Sequence, residues 1–378
     1  MVRIIEYGAL TSTRGGIESY IYNQATCLFS DKNKNEIQLD FLVPNEGEKL
    51  AYEDELNNYG CKIYRVYRRW KDSFFGHYID LYHFFKLHHK DYDIAIANYL
   101  DLQNINFLII AKLFGLKTVA HAHNAYVPRN FKYKTLVFFN RILGLFFIDG
   151  LFACSYSAAK WMFGTLLMTV KKNKYSQINN RINLDTFRFS HDKRKKMRTS
   201  LNINENTLVI GNSGRMVDQK NQLFLIDIFY EYLKINKDAL LIILGDGVLK
   251  SAIIKKIKAY GIERNVTLPG NVSNVADWLQ AIDCFVFPSI YEGLGMSVIE
   301  SQAAGIQTFI SDCVPSDANI SDICHCISLE MPAKFWAVEI DKYKNYIRKD
   351  MYDVIEKAGY NSTTCKDEYL AIYKKILE

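Results

Sequence analysis

The sequence predicts an α/β protein made of two doubly wound parallel-sheet domains. Its 378 residues exceed one ordinary domain and fit two of roughly 150–200 residues each. Apolar, β-branched runs alternate with longer runs of helical period, the pattern of a parallel sheet covered on both faces. That pattern pauses in a lysine-rich stretch near the middle and then starts again.

In the first half, VRIIEYG, IQLDFLVP, YDIAIAN, KTVAHAHN and GLFACS read as strands. IESYIYNQATCLF and NINFLIIAKLFG between them read as helices. From Lys171 to Arg198 the chain turns polar and basic, and this part reads as an interdomain connection plus a solvated helix. NTLVIGNSG, ALLIILGDG, NVTLPG, DCFVFPS and QTFISD then restart the strands. The expected domains are residues 1–185, residues 186–350, and a C-terminal helix over 351–378 that crosses back to the first domain.

Composition narrows the class. With 49% apolar and 23% charged residues the chain has a core to bury and is not disordered. A net charge of +6 suits phosphates or an acidic lipid surface and is too weak to indicate nucleic acid. The eight cysteines are scattered without a C-x-x-C pair, which predicts free thiols in a reducing cytosol. Cys324-His325-Cys326 is at most half of a metal site, with no partner pair elsewhere. The N-terminus is a strand without a signal peptide's apolar core. LVFFNRILGLFFIDGLFACS is interrupted by Arg141 and Asp149 and falls short of a membrane span. A cytoplasmic protein is expected, with contact at the inner face of the membrane left open.

Four loops at strand C-termini hold the chemistry. Gly15-Gly16-Ile17-Glu18 opens a helix, and its two glycines let backbone approach an anion. A plain β–α turn explains it equally well. In GNSGRMVDQKNQ, Arg215 offers a bidentate fork to phosphate and Lys220 a point charge. Two fixed cations neutralise a diphosphate leaving group much as a magnesium ion would. In YEGLGMSVIESQAAG, Glu292 sits in a glycine-lined loop and Glu300 follows early in a helix. Glu292 suits sugar hydroxyls and Glu300 both hydroxyls of a ribose, since a carboxylate has two acceptor oxygens. The plainer reading of Glu300 is a complement to the helix dipole. In KTVAHAHNAYVPR, His121 and His123 project to one face of a strand, as ligand contacts or as structural histidines.

Together these loops resemble the retaining glycosyltransferases of family 4, which have the GT-B fold, and most closely the capsular and exopolysaccharide branch. GGIE, VAHAHN, GRMVDQKN, LGDG and EGLGMSVIE follow one another in that family's order over nearly the whole chain. The resemblance implies two Rossmann-like domains facing across a cleft, the first on the acceptor side and the second binding the nucleotide sugar. It implies that Gly15 and Gly16 close on the donor phosphates and that Arg215 and Lys220 hold the diphosphate. Glu300 would bind the ribose; Glu292, Gly293, Leu294, Gly295 and Met296 would bind the donor hexose. His123, or else His121, would sit at the anomeric centre. The implied donor is a uridine diphosphate sugar, the acceptor a glycan or lipid-linked glycan, with no metal and no other cofactor. Asn180-Arg181-Ile182-Asn183 stands where relatives read N-G-I-D, and an Arg replacing Gly is costly if that turn needs positive φ. A basic, aromatic segment from Lys62 to Lys90 suits either a membrane surface or a solvated face over a core helix.

Two other classes fit the architecture. A sugar-nucleotide epimerase would share the domains and the donor and need no acceptor. A nicotinamide-dependent oxidoreductase would need G-x-G-x-x-G after an early strand, which is absent.

Overall fold

The structure, a computed structural model, describes residues 1–378 except 9, 13–14, 30–35, 45–46, 68–73 and 125–130. The chain folds as two compact units, residues 1–182 with 361–378, and residues 183–360.

The first unit runs β1 (Val2–Tyr7), α1 (Gly16–Phe29), β2 (Ile37–Pro44), α2 (Glu53–Asn58), β3 (Ile63–Val66), α3 (Phe74–His88), β4 (Ile94–Tyr99), α4 (Asn106–Leu113), β5 (Lys117–Ala122), α5 (Phe131–Phe147), β6 (Gly150–Ala153), α6 (Tyr156–Val170) and β7 (Tyr175–Gln177). Among the described residues its seven strands pair in parallel in the order β3-β2-β1-β4-β5-β6-β7. The second unit runs α7 (Leu184–Phe187), α8 (His191–Ser200), β8 (Leu208–Ser213), α9 (Gln222–Ile235), β9 (Ala239–Leu244), α10 (Lys250–Tyr260), β10 (Val266–Gly270), α11 (Val275–Ala281), β11 (Cys284–Phe287), α12 (Met296–Ala303), β12 (Gln307–Ser311), β13 (Cys324–Ile327), α13 (Ala333–Asp341) and α14 (Tyr352–Lys357). Its six strands, also parallel, follow the order β10-β9-β8-β11-β12-β13. A final helix, α15 (Lys366–Leu377), belongs to the first unit.

The central strands are buried almost end to end, β8, β11 and β12 entirely so. Helices on both faces leave such strands no polar side. Every strand read from the sequence is present. The three it missed, β3, β7 and β13, are short strands at sheet edges, where the apolar signal is weakest. Strand order reverses between β1 and β4 and again between β8 and β11, so the loops leaving these strands border the natural ligand crevices.

Long-range packing revised three local readings. Cys27 on α1 and Cys365 beside α15, expected as free thiols, form a disulfide across 338 residues of sequence. They meet because α15 returns to the first sheet, burying Tyr369, Leu370, Tyr373 and Ile376 in its core. Arg181 does not take positive φ. Its buried guanidinium pairs with Glu368 and lies 5.4 Å from the Tyr369 ring, so it ties down α15 where a glycine could not.

The basic helix α8 is not merely solvated. Arg194 and Arg198 turn inward and hold Asp283 at 2.7 and 3.1 Å, and Asp283 also accepts from the Val209 amide at 2.8 Å. Arg198 is 3% exposed and also donates to the carbonyls of Thr207 and Ala281. Removing one partner of a buried pair strands the other charge. Asp283→Ala is therefore expected to destabilise the second unit by about 3–5 kcal/mol, seen as a lower urea midpoint at unchanged slope.

Candidate functional site

In the second unit, three loops meet at the C-terminal ends of β8, β9 and β11. The first two interlock through backbone. A Cβ on Gly245 would lie 2.2 Å from the Gly214 carbonyl oxygen, and one on Gly247 would lie 2.5 Å from that of Met216. Gly245 also has φ of +124°, a conformation side chains avoid. Gly214 N donates to the Leu244 carbonyl and Met216 N to that of Asp246, both at 2.9 Å. The LGDG motif thus acts as a bed for the loop that carries Arg215.

The third loop is tied in by charge. Lys220 Nζ lies 2.7 Å from Glu292 Oε1, with side chains 16% and 6% exposed. Gln219 Nε2 donates to Glu292 Oε2 at 3.3 Å and to the Tyr291 carbonyl at 3.0 Å, while Ile290 N donates to the Gln219 carbonyl at 2.8 Å. The Lys220 ammonium also sits 4.7 Å from the Phe287 ring centre, a cation–π contact. Each Glu292 oxygen retains a lone pair, and the ammonium retains two protons, for a ligand.

Arg215 differs. Its side chain is exposed and has no bonding partner among the described residues, while its carbonyl accepts from Gln222 Nε2 at 3.0 Å. The backbone is held and the guanidinium is available.

Gly293 and Leu294 are buried as they enter α12, and Gly295, at φ +91°, turns the chain into that helix. Met296 stands at its first turn, where amides lack intrahelical partners. Glu300 follows on the next turn, half-buried and without a bonding partner among the described residues. Burial raises its carboxyl to about 7, against the pull of the Lys220 charge. Arg215, Lys220, Glu292 and Glu300 are thus one constellation on one sheet edge.

The remaining predicted residues lie in the first unit. Gly16 opens α1, and a Cβ there would meet nothing within 4 Å among the described residues, whereas a Cβ on Gly15 would strike Glu18 Oε2 at 2.5 Å. Glu18 is held by Thr11 Oγ1 at 2.7 Å. His121 and His123 share a face, with ring centres 4.0 Å apart and Tyr20 of α1 at 5.0 Å from each. Burial pushes His121 far down and His123 to about 3, so both rings are neutral. His123 Nε2 bonds Asn98 Oδ1 at 2.9 Å, and Asn98 Nδ2 donates to Glu6 Oε2 at 2.9 Å.

Sequence reasoning missed Glu6, Asn98 and Gln219. Glu6 had a signal: an acid inside the apolar run VRIIEYG must be buried, and a buried acid needs partners. Asn98 and Gln219 had none, because their meaning lies in contacts with distant strands. Among the described residues, no cluster of three or more His, Cys, Asp or Glu could hold a metal ion. The tripeptide Asp91-Tyr92-Asp93 precedes β4, and Asp93 pairs with Arg3 at 2.6 Å. In Cys324-His325-Cys326, His325 instead donates to Gln307 Oε1 at 2.6 Å.

Residues 193–320 match the family model described as Glycosyl transferases group 1. The chain is similar to the putative glycosyltransferase EpsF of Bacillus subtilis, at 25% identity over 94% of this chain and 95% of that one. It is also similar to the Escherichia coli UDP-Gal:alpha-D-GlcNAc-diphosphoundecaprenol alpha-1,3-galactosyltransferase, 25% identical over 54% of each chain. Among solved structures, Anabaena HepE in complex with UDP and glucose superposes with a TM-score of 0.73 at 15% identity, covering 100% of this chain and 98% of HepE. The fold is GT-B; the chain carries a group 1 glycosyltransferase domain over residues 193–320, and it is a glycosyltransferase.

Proposed function

We propose that the protein transfers a hexose, with retention, from a uridine diphosphate sugar to a glycan or lipid-linked glycan in capsule or exopolysaccharide synthesis. The observation that carries this reading is the Lys220–Glu292 pair, set beside Arg215 and a half-buried Glu300 that have no partners among the described residues. Lys220 and Arg215 hold the diphosphate, Glu300 the ribose, and Glu292 with the loop from Gly293 to Met296 the hexose. Gly15 and Gly16 of the first unit serve the donor phosphates, and His123 the transferred sugar. The names of the similar proteins support the donor and acceptor: HepE is described with UDP and glucose, and the E. coli relative uses UDP-Gal and a diphosphoundecaprenol acceptor.

In the reaction proposed, the bond from the anomeric carbon to the diphosphate breaks, and the acceptor oxygen bonds that carbon on the same face. The departing phosphate oxygen takes the acceptor's proton. The cations stabilise the charge growing on the diphosphate, which makes them the main source of catalysis. Lys220→Ala is expected to leave both sheets folded, at a cost in stability because it strands the buried Glu292 carboxylate, and to lose about a hundredfold in turnover. A panel of uridine, guanosine and adenosine diphosphate sugars, with and without lipid-extract acceptor, gives the measurement. Unchanged turnover in the variant refutes the role of Lys220, and conversion of the donor without acceptor points to an epimerase.

Glu300 accepts from ribose hydroxyls as a carboxylate, the form present above about pH 7. Uridine diphosphate binding is expected to tighten several-fold between about pH 6 and about pH 8. In Glu300→Gln that component disappears. Calorimetric titration of both chains checks it, and identical pH profiles overturn it.

A lipid-linked acceptor calls for a membrane-facing surface, and α5 supplies the strongest candidate. Val137, Asn140 and Gly144 are its buried stripe. At about 100° per residue, the opposite side carries Phe131, Phe138, Phe139, Ile142 and Phe146. Those four phenylalanines are 85%, 58%, 56% and 69% exposed, and exposed Lys132 and Lys134 flank them. Aromatics turned outward beside cations suit an anionic lipid surface. The segment from Lys62 to Lys90 offers less: Phe84 and Phe85 are buried and Arg65 pairs with Glu53. Arg68, Arg69, Trp70 and Lys71 lie outside the described residues. Among the described residues no helix is long and apolar enough to cross a membrane. The chain should co-sediment with phosphatidylglycerol vesicles at low salt, and Phe138→Ser with Phe146→Ser should abolish it. A wild-type chain left in the supernatant ends the idea.

A further inference from the structure

Four side chains make one buried polar chain inside the first unit. Gln24 Nε2 donates to Glu6 Oε1 at 2.8 Å, Asn98 Nδ2 donates to Glu6 Oε2 at 2.9 Å, and His123 Nε2 meets Asn98 Oδ1 at 2.9 Å. Glu6 is 1% exposed, Gln24 2%, Asn98 5% and His123 8%. Among the described residues two buried atoms of the chain lack a hydrogen-bond partner: Gln24 Oε1 at one end, where Gln24 Nε2 also donates to the Tyr373 hydroxyl at 2.9 Å, and His123 Nδ1 at the other. Such an atom costs about 1–3 kcal/mol in a folded protein, so its presence calls for an explanation.

Glu6 dictates the direction of the whole chain. An ionised carboxylate only accepts, so Asn98 must turn its NH2 toward Glu6 and its carbonyl toward His123. That carbonyl also only accepts, which places the imidazole proton on Nε2. Nδ1 is then a bare lone pair on a neutral ring. An atom in that state takes a hydroxyl proton and rejects a carboxylate or phosphodiester oxygen, neither of which offers a proton at neutral pH.

We propose that Glu6 and Asn98 are positioning residues that fix His123 as a hydrogen-bond acceptor, and that His123 Nδ1 receives a hydroxyl of the sugar being transferred. The assignment rests on the glycosyltransferase reading above. Glu6 sets the pH range of this lock. Burial raises its carboxyl to about 6, with the bonds from Asn98 and Gln24 pulling the other way. Around it, burial pushes Tyr20 of α1, Tyr369 and Tyr373 of α15, and the Cys61 thiol upward. The same burial pushes His121 and His123 downward, and the Arg181 guanidinium lies over the Tyr369 ring. Glu6 is thus the group whose charge changes near neutrality. The lock holds above about pH 6 and slackens as Glu6 takes up a proton below it.

Histidine-labelled full-length protein, observed by long-range proton–nitrogen NMR correlation, reports which ring nitrogen of His123 carries the proton. Wild type should show it on Nε2 at neutral pH. In Glu6→Gln, residue 6 can donate, Asn98 can turn round, and the proton should shift toward Nδ1. The ratio of turnover number to donor KM should fall roughly tenfold, the size of one lost hydrogen bond, while the affinity for uridine diphosphate, which lacks that hydroxyl, should stay unchanged. Glu6→Gln combined with Asn98→Asp should restore both readouts, since a carboxylate at position 98 again presents only an acceptor to His123. A wild-type proton on Nδ1, or a Glu6→Gln chain with unaltered tautomer and an unaltered ratio, overturns the proposal, as does a double variant that restores neither. Should Glu6→Gln fail to fold, the wild-type tautomer still decides. Absence of any transfer by the wild type would remove the glycosyltransferase reading and leave the tautomer test standing.

Discussion

The ion pair between Lys220 and Glu292 fixes the shape of the second unit's working edge. It joins the loops leaving β8 and β11, the two strands at which the sheet order reverses. Separating those loops would leave a carboxylate and an ammonium in a poorly hydrated place, each without its counter-charge. The interlocked glycines extend the same rigidity to the loop after β9, where backbone touches backbone and admits no side chain. Arg215 and Glu300 thus project from a frame that is already set, and little ordering remains when a ligand arrives.

The corresponding edge of the first unit is built on the opposite principle. Its polar groups, from Gln24 through Glu6 and Asn98 to His123, are almost wholly buried, and burial keeps both histidines uncharged. One unit therefore offers fixed charge and the other fixed, neutral hydrogen bonding.

Several side chains that look like surface residues prove to be structural. Arg198 belongs to a lysine-rich helix, yet its guanidinium reaches four backbone carbonyls beyond that helix, and Asp283. Arg181 replaces a glycine expected from the resemblance, and its length lets it reach α15. In both cases the long aliphatic stem crosses apolar packing and delivers a charge to a partner fixed by the fold.

The alternation of apolar strands with amphipathic helices was enough to determine the two parallel sheets, because a strand buried on both faces has no alternative composition. The glycine, arginine, lysine and glutamate loops were legible for a similar reason: close backbone approach and phosphate binding admit few residue types. What the tertiary structure decided was pairing. That Lys220 holds Glu292, that Glu6 orders Asn98 and His123, that Cys27 meets Cys365 and that the phenylalanines of α5 face outward all depend on distances between residues far apart in the chain. Local propensity carries no record of those distances, since they arise only when separate elements pack on the same sheet.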